Sequence, residues 1–273
     1  MPKSPLFMGV INMTPDSFSG DGLKGKVETA LERVETLVRE GASIIDIGGE
    51  STRPGSAAVT TQEEIERTLP IIERVRKRFD AQISIDTQKA EVAEAALRAG
   101  AHLVNDISAG GDPKMAQVVA RYGATVVLMH MQGTPQTMQN SPSYPEGVVF
   151  EVAKFLMERG QLFENQGVSR EKIWVDPGIG FGKTLEHNLA LLKDLRAFSK
   201  LGERLVIGTS RKSFLARLLG DPLLPMPLRS EGTLASNLWA WTQGASVFRV
   251  HDVGALKRAF ATWEAILSVI PSH

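Results

Sequence analysis

Short apolar, β-branched runs recur along the whole chain, at Leu6–Ile11, Ser43–Ile47, Gln82–Ile85, Leu103–Ile107, Thr125–Met129, Ile173–Val175, Arg204–Ile207 and Ser246–Val250. They read as near-continuous apolar segments, the pattern of strands buried on both faces. The stretches between them repeat with helical period instead. Val27, Ala30, Leu31, Val34, Leu37 and Val38 fall on one helical face, and Ile65, Leu69, Ile72 and Val75 on another. Thr61-Gln-Glu-Glu64 fits a capping box, Ser230 or Asp252 suits an N-cap, and Gly41, Gly100 and Gly123 suit helix C-termini.

Strands alternating with helices imply parallel βαβ units, and eight of them favour a closed (β/α)8 TIM barrel, an α/β fold in one domain over residues 1–273. The length is near the roughly 250 residues usual for that fold. An open doubly wound sheet would more often carry G-x-G-x-x-G after its first strand, and none follows Leu6–Ile11. The longer irregular pieces are Met13–Lys26, Glu50–Thr60, Met131–Gly147 and Gly220–Arg229. The first three leave strands directly and are expected to rim the barrel's catalytic face.

Composition narrows the class of function. Thirty-one Lys plus Arg balance thirty-one Asp plus Glu, so no global field attracts nucleic acid or an anionic membrane. The absence of cysteine removes disulfides, thiolate nucleophiles and Cys-based metal sites, and makes the cytoplasm the simplest location. No apolar run approaches the roughly 18 residues of a membrane span, and Met-Pro-Lys-Ser-Pro lacks a signal-peptide core. Small molecules are the expected partners.

Chemistry collects where substrates bind a barrel, at the C-terminal ends of the strands. In order these carry Asn12; Glu50, Thr52 and Arg53; Asp86; Asn105 and Asp106; His130; Asp176; Ser210, Arg211 and Lys212; Arg249 and His251. One polar strand end is ordinary turn chemistry, but eight on one face point to a binding site. Arg53, Arg211, Lys212, Arg249 and His251 suit a phosphate or pyrophosphate, unless they merely pair with carboxylates such as Glu50 and Asp252. Asp86, Asn105, Asp176 and Lys212, beside Met129 and Phe181, suit a flat heterocycle with an amidine-like edge, as in pterins and purines. Met129 as plain core and Asp176 as a turn former are the competing readings.

Asp176-Pro-Gly-Ile-Gly-Phe-Gly-Lys183 lacks Walker A spacing and reads as a turn that lets backbone approach a ligand. The five histidines are scattered, although a hard ion such as Mg²⁺ bridging Asn12 to a ligand phosphate fits. No G-x-S-x-G elbow is present.

Seven motifs in register, Asn12-Met-Thr-Pro-Asp-Ser-Phe-Ser19, Gly49-Glu-Ser-Thr-Arg-Pro-Gly55, Ile85-Asp-Thr87, Asn105-Asp-Ile107, the run Asp176 to Lys183, Ser210-Arg-Lys-Ser213 and Arg249-Val-His-Asp252, closely resemble dihydropteroate synthase of the folate pathway. Gln88 departs from the family's usual Ser or Tyr. The resemblance implies a barrel enzyme that joins 6-hydroxymethyl-7,8-dihydropterin diphosphate to 4-aminobenzoate with the help of Mg²⁺, commonly as a homodimer. It places Asp86, Asn105, Asp176 and Lys212 on the pterin, with Met129 and Phe181 near its faces. Asn12, Arg53, Arg249 and His251 fall on pyrophosphate, Asn12 also meeting Mg²⁺. Phe18, Thr52 and Pro54, with Phe181, Lys212 and Ser213, fall on aminobenzoate. Two rivals stay open: a barrel methyltransferase that binds a methylated pterin, which needs no pyrophosphate cluster, and a non-catalytic pterin-binding homologue, which would lose Asn12, Phe18 or Thr52.

Overall fold

A computed structural model describes residues 3–14, 22–52 and 55–268, with the backbone alone for residues 22–25. Its strands are β1 (Leu6–Asn12), β2 (Ile44–Gly48), β3 (Gln82–Asp86), β4 (Leu103–Asp106), β5 (Thr125–Met129), β6 (Ile173–Asp176), β7 (Arg204–Ile207) and β8 (Val247–Val250). The helices are α1 (Gly22–Glu40), α2 (Thr61–Arg78), α3 (Ala90–Arg98), α4 (Met115–Tyr122), α5 (Val148–Asn165), α6 (Leu185–Lys193), α7 (Ser213–Leu218), α8 (Ser230–Thr242) and α9 (Val253–Ser268). Each strand pairs in parallel with the next, and β8 pairs with β1, so the sheet closes into the expected barrel. Among the described residues no helix is long and apolar enough to cross a membrane.

Side chains alternate across each strand, so the barrel has two cores. Outward residues such as Phe7, Ile45, Ile83, Val104, Val126 and Phe248 pack under the helices. Inward, Met8, Ile44, Leu103, Val127, Trp174, Val206 and Val247 form a separate apolar floor. Two residues further along the same inward rows stand Asp46, Asn105, Met129, Asp176 and Arg249. The apolar floor and the polar mouth are consecutive layers of one lattice.

Several boundaries differ from those the sequence suggests, and pairing explains them. Asn12, Asp86 and Asp176 are the last residues of β1, β3 and β6, because they remain in register with Gly48, Asn105 and Met129 on neighbouring strands. The polar groups therefore project from rigid backbone. Helix α1 begins at Gly22, inside the piece expected to be irregular. The N-cap of α2 is Thr60 rather than Thr61, its hydroxyl accepting from Glu63 N at 3.2 Å. Ser230 is already helical, whereas Asp252 caps α9 by accepting from Ala255 N at 2.9 Å. Gly41, Gly100 and Gly123 all have positive φ just past a helix. Of the late tryptophans, Trp241 is core and Trp263 packs against it, but Trp239 is 48% exposed.

Candidate active site

Closure of the barrel brings Arg249 of β8 across its interior to β2 and β3. Its Nε donates to Asp46 Oδ2 and its terminal nitrogen to Asp86 Oδ2, both at 2.6 Å. Asn105 Nδ2 donates to the same Asp46 oxygen at 3.2 Å. Asp46 is wholly buried and its Oδ1 has no partner among the described residues. A buried acid shared by a cation and an amide fixes both, since releasing either leaves the carboxylate poorly compensated. Sequence reasoning missed Asp46 because it lies inside an apolar run rather than at a strand end. The signal was present: an acid in a strand buried on both faces needs a partner.

Charge in this layer is finely set. Burial pushes the Asp86 carboxyl up to about 7, with Asp46, Glu64 and Asp106 adding to the rise and Arg249 opposing it. Burial works against the Arg249 charge, but Asp46 and Asp86 outweigh it and hold the guanidinium above its ordinary range. The two sets separated by sequence, anion binders and heterocycle binders, are thus joined through the Arg249–Asp86 contact.

On the opposite wall, Asp176 Oδ1 accepts from Gly178 N at 2.7 Å, so this residue does form a turn. Burial raises its carboxyl, with Lys212 and that amide acting against the rise. Lys212 donates to Ile179 O and lies 4.5 Å from the centroid of the Phe181 ring, a cation–π contact. Burial brings its ammonium down to about 8, Asp176 resisting and Arg249 assisting. Neighbouring Arg211 adopts φ 62°, unusual for a residue with a side chain, and lies exposed while Lys212 turns inward. This resolves how adjacent cations serve different surroundings.

The glycines of the run are required by close approach. A Cβ on Gly178 would lie 1.9 Å from His130 O, and one on Gly182 2.6 Å from Gln132 O, both at positive φ. The run ends in Lys183, which is 2% exposed and lies 3.0 Å from His130 Nδ1. Burial takes its amine well below the ordinary lysine range, Asp176 opposing and Lys212 assisting. Burial likewise lowers His130 to about 3, with Lys183 contributing. A neutral histidine and a poorly solvated lysine share this space.

The remaining predicted residues fall around the mouth. Met129 is buried at the end of β5, in register with Asp176. His251 is half-buried, its Nδ1 3.0 Å from Ser210 Oγ. A cavity of about 320 Å³ opens beside His251, lined also by Arg33, Glu40, Arg211 and Asp252. That cavity flanks the mouth; the Arg249–Asp46–Asp86 layer does not line it. Asn12 is half-buried at the end of β1, Thr52 is half-buried in the segment that follows β2, and Ser213 is exposed at the start of α7. Phe18, Arg53 and Pro54 lie outside the described residues. Among the described residues no group of three or more His, Cys, Asp or Glu is placed to hold a metal.

Residues 8–251 match the pterin binding enzyme family. A dihydropteroate synthase from Synechocystis sp. is 46% identical over 96% of this chain and 91% of its own length. In structure, the chain is similar to the Xanthomonas albilineans dihydropteroate synthase with 4-aminobenzoic acid, at TM-score 0.91 and 41% identity, covering 98% of this chain and 95% of the other. The same organism's enzyme in complex with 7,8-dihydropteroate gives TM-score 0.88 at 38% identity, with the same coverage.

Proposed function

The chain belongs to the dihydropteroate synthases, pterin-binding transferases of folate biosynthesis, and from that membership we propose how its own residues divide the reaction. The enzyme condenses 6-hydroxymethyl-7,8-dihydropterin diphosphate with 4-aminobenzoate to give 7,8-dihydropteroate and pyrophosphate. Asp176 uses one oxygen on Gly178 N and offers the other to a pterin N–H, while Asp86, Asn105 and Lys212 serve the remaining ring edge and Met129 and Phe181 its faces. Arg249, His251 and Arg53 receive the diphosphate, and Thr52, Phe18 and Pro54, with Phe181, Lys212 and Ser213, surround the aminobenzoate.

The electron-rich dihydropterin stabilises positive charge at its exocyclic methylene. The methylene–oxygen bond therefore breaks with both electrons leaving on pyrophosphate, and the amine lone pair then forms the new carbon–nitrogen bond. The proton released from nitrogen passes to pyrophosphate or solvent. An arylamine is largely neutral near pH 7, so the residues act by electrostatics: the acids Asp86 and Asp176 favour the cationic pterin, and Arg249 and His251 favour the leaving anion. The observation that carries this reading is the layer at the mouth in which the cation Arg249 meets the buried acids Asp46 and Asp86.

Asn12 suits Mg²⁺ because its side-chain carbonyl is a hard oxygen donor at a fixed strand end, and such an ion takes few protein ligands when phosphates supply the rest. The ion would neutralise the diphosphate. Exposed Leu218, Leu219, Leu223, Met226, Leu228 and Trp239, from α7 through α8, support a homodimer, and the lack of cysteine supports a cytoplasmic location. The deciding experiment supplies pterin diphosphate, 4-aminobenzoate and Mg²⁺ and measures pyrophosphate release. Steady turnover that requires both substrates is expected; none from well-folded protein overturns the reading.

A further inference from the structure

The segment Met131–Gly147, between β5 and α5, takes no part in the reaction as divided above, yet it reaches both neighbouring walls of the site. On one side lies the glycine-rich run. Four successive carbonyls of that run are each held by a side chain: Ile179 O by Lys212, Gly180 O by Gln139 at 3.0 Å, Phe181 O by Lys183 at 2.9 Å, and Gly182 O by the Tyr144 hydroxyl at 2.7 Å. Lys183 is tied in turn to His130, whose ring stands edge-on to Phe155 at 5.0 Å and tilted against Tyr144 at 5.9 Å. On the other side, Gln136 Nε2 donates to Ser56 O at 3.0 Å and Gly55 N donates to Pro135 O at 3.2 Å. Those contacts hold the segment that follows β2 and carries Thr52.

We infer that Met131–Gly147, with Lys183, is a positioning bridge that sets the distance between the Phe181 wall and the Thr52 wall and thereby governs affinity for the aromatic acceptor. The chemistry favours this over a general structural role. A flat ring with one carboxylate has few atoms with which to order two loops, so its affinity depends on walls already in place. The pterin's edge is held separately, by Asp86, Asn105 and Asp176 on strand ends and by the Asp46–Arg249 layer, so that of the pterin contacts only Phe181 and Lys212 meet the run that the bridge holds. Buried Tyr144 and Lys183 carry most of the effect, since their bonds are shielded from water, and exposed Gln136 less. The inference rests on the assignment of Phe181 and Thr52 to the aminobenzoate site.

The test uses the full-length enzyme with Tyr144→Phe, Lys183→Met and Gln136→Ala. Tyr144→Phe removes one hydroxyl and keeps the ring packing, so folding is secure even where Lys183→Met fails. Expected for Tyr144→Phe is a rise of about tenfold in KM for 4-aminobenzoate, and for Gln136→Ala about threefold, from loss of one hydrogen bond each. KM for the pterin diphosphate should rise less than KM for 4-aminobenzoate, by no more than about threefold, since Asp86, Asn105 and Asp176 hold the pterin's edge from strand ends and only its Phe181 face lies on the loosened run. Hydrogen exchange at the amides of residues 179–184 should quicken in Tyr144→Phe, a readout independent of turnover. Unchanged exchange and unchanged KM in folded Tyr144→Phe overturns the bridge, as does a rise in KM for the pterin diphosphate equal to that for 4-aminobenzoate. If the wild type turns over nothing, the functional reading fails, and the exchange arm still decides whether the bridge holds the run.

Discussion

The floor and the mouth of the barrel are built from the same strands only two residues apart, yet they are held together by opposite physics. In the floor, Met8, Ile44, Leu103, Val127, Trp174, Val206 and Val247 touch one another and need nothing else. In the mouth, the buried acids Asp46, Asp86 and Asp176 need the half-buried cations Arg249 and Lys212, with Asn105 bonded to Asp46, because a buried charge left alone would cost several kcal/mol, on the order of the whole stability of a domain. Burial helps the floor and is a cost to the mouth. The strands are rigid enough to carry that cost because the layer beneath them is dry and well packed. A site on this foundation keeps its groups poised: burial brings Asp86 up to about 7 and Lys212 down to about 8.

Substitutions can break the contrast from either side. The largest effect belongs to the floor: Trp174→Ala should cost about 3–5 kcal/mol of stability in urea denaturation while the folded fraction keeps its pterin affinity. Loss of affinity before stability would mean the two layers are not separate. Next, Arg249→Ala should lower kcat by about 10²–10³ through lost stabilisation of the leaving anion. It also leaves Asp46 and Asp86 facing each other without their cation, so pyrophosphate-release assays should be paired with thermal melts, which should fall as well.

Smaller is Asp176→Asn, where an amide must present a donor to one pterin N–H. Calorimetry should show pterin binding weakened by about 1.5–3 kcal/mol, and the melting temperature should fall by less than in Arg249→Ala, because Lys212 loses its nearest acid but keeps its bond to Ile179 O. An unchanged dissociation constant would return Asp176 to its role as the turn former that holds Gly178.

The smallest is a pH effect behind the mouth. His130 titrates at about 3 in the fold against 6.5 outside it, because burial and Lys183 disfavour its charge. The unfolded chain therefore binds the proton first. Stability from the neutral ring is complete above pH 6.5 and is lost as pH falls from there towards 3. Between pH 6.5 and 5.5 the wild type should lose about 1 kcal/mol more than His130→Phe does, measured by urea denaturation at each pH. Parallel curves would show that the ring is charged in the folded protein.

Much of this contrast was legible in the sequence. Eight apolar runs with polar ends defined the barrel and most of the mouth, since continuous apolar runs and strand-end chemistry are local properties. Asp46 was hidden by its own neighbours, Ile45 and Ile47, which made its strand look uniformly apolar. Reading only the inward row, Ile44, Asp46 and Gly48, would have exposed it. The pairing of Arg249 with Asp46 and Asp86 was not legible, because those partners are 203 and 163 residues apart and meet only when β8 closes on β1. The burial of Lys183 was equally out of reach, since a glycine-rich turn ending in a lysine gives no sign of His130 and Tyr144, which enclose that lysine only in the fold.

That late closure reaches into how the protein is made. A chain emerging from the ribosome presents Asp46 and Asp86 early and Arg249 almost last, so a partial barrel would have to bury two acids with no counter-ion. Such intermediates are penalised where the site will form, even though the hydrophobic faces of the first helices are already complete. Synthesis proceeds from the N-terminus at about 5–20 residues per second, which leaves many seconds in which those faces are exposed and the barrel cannot shut. The charges that serve the substrate are thus fully compensated only once the final strand joins the barrel.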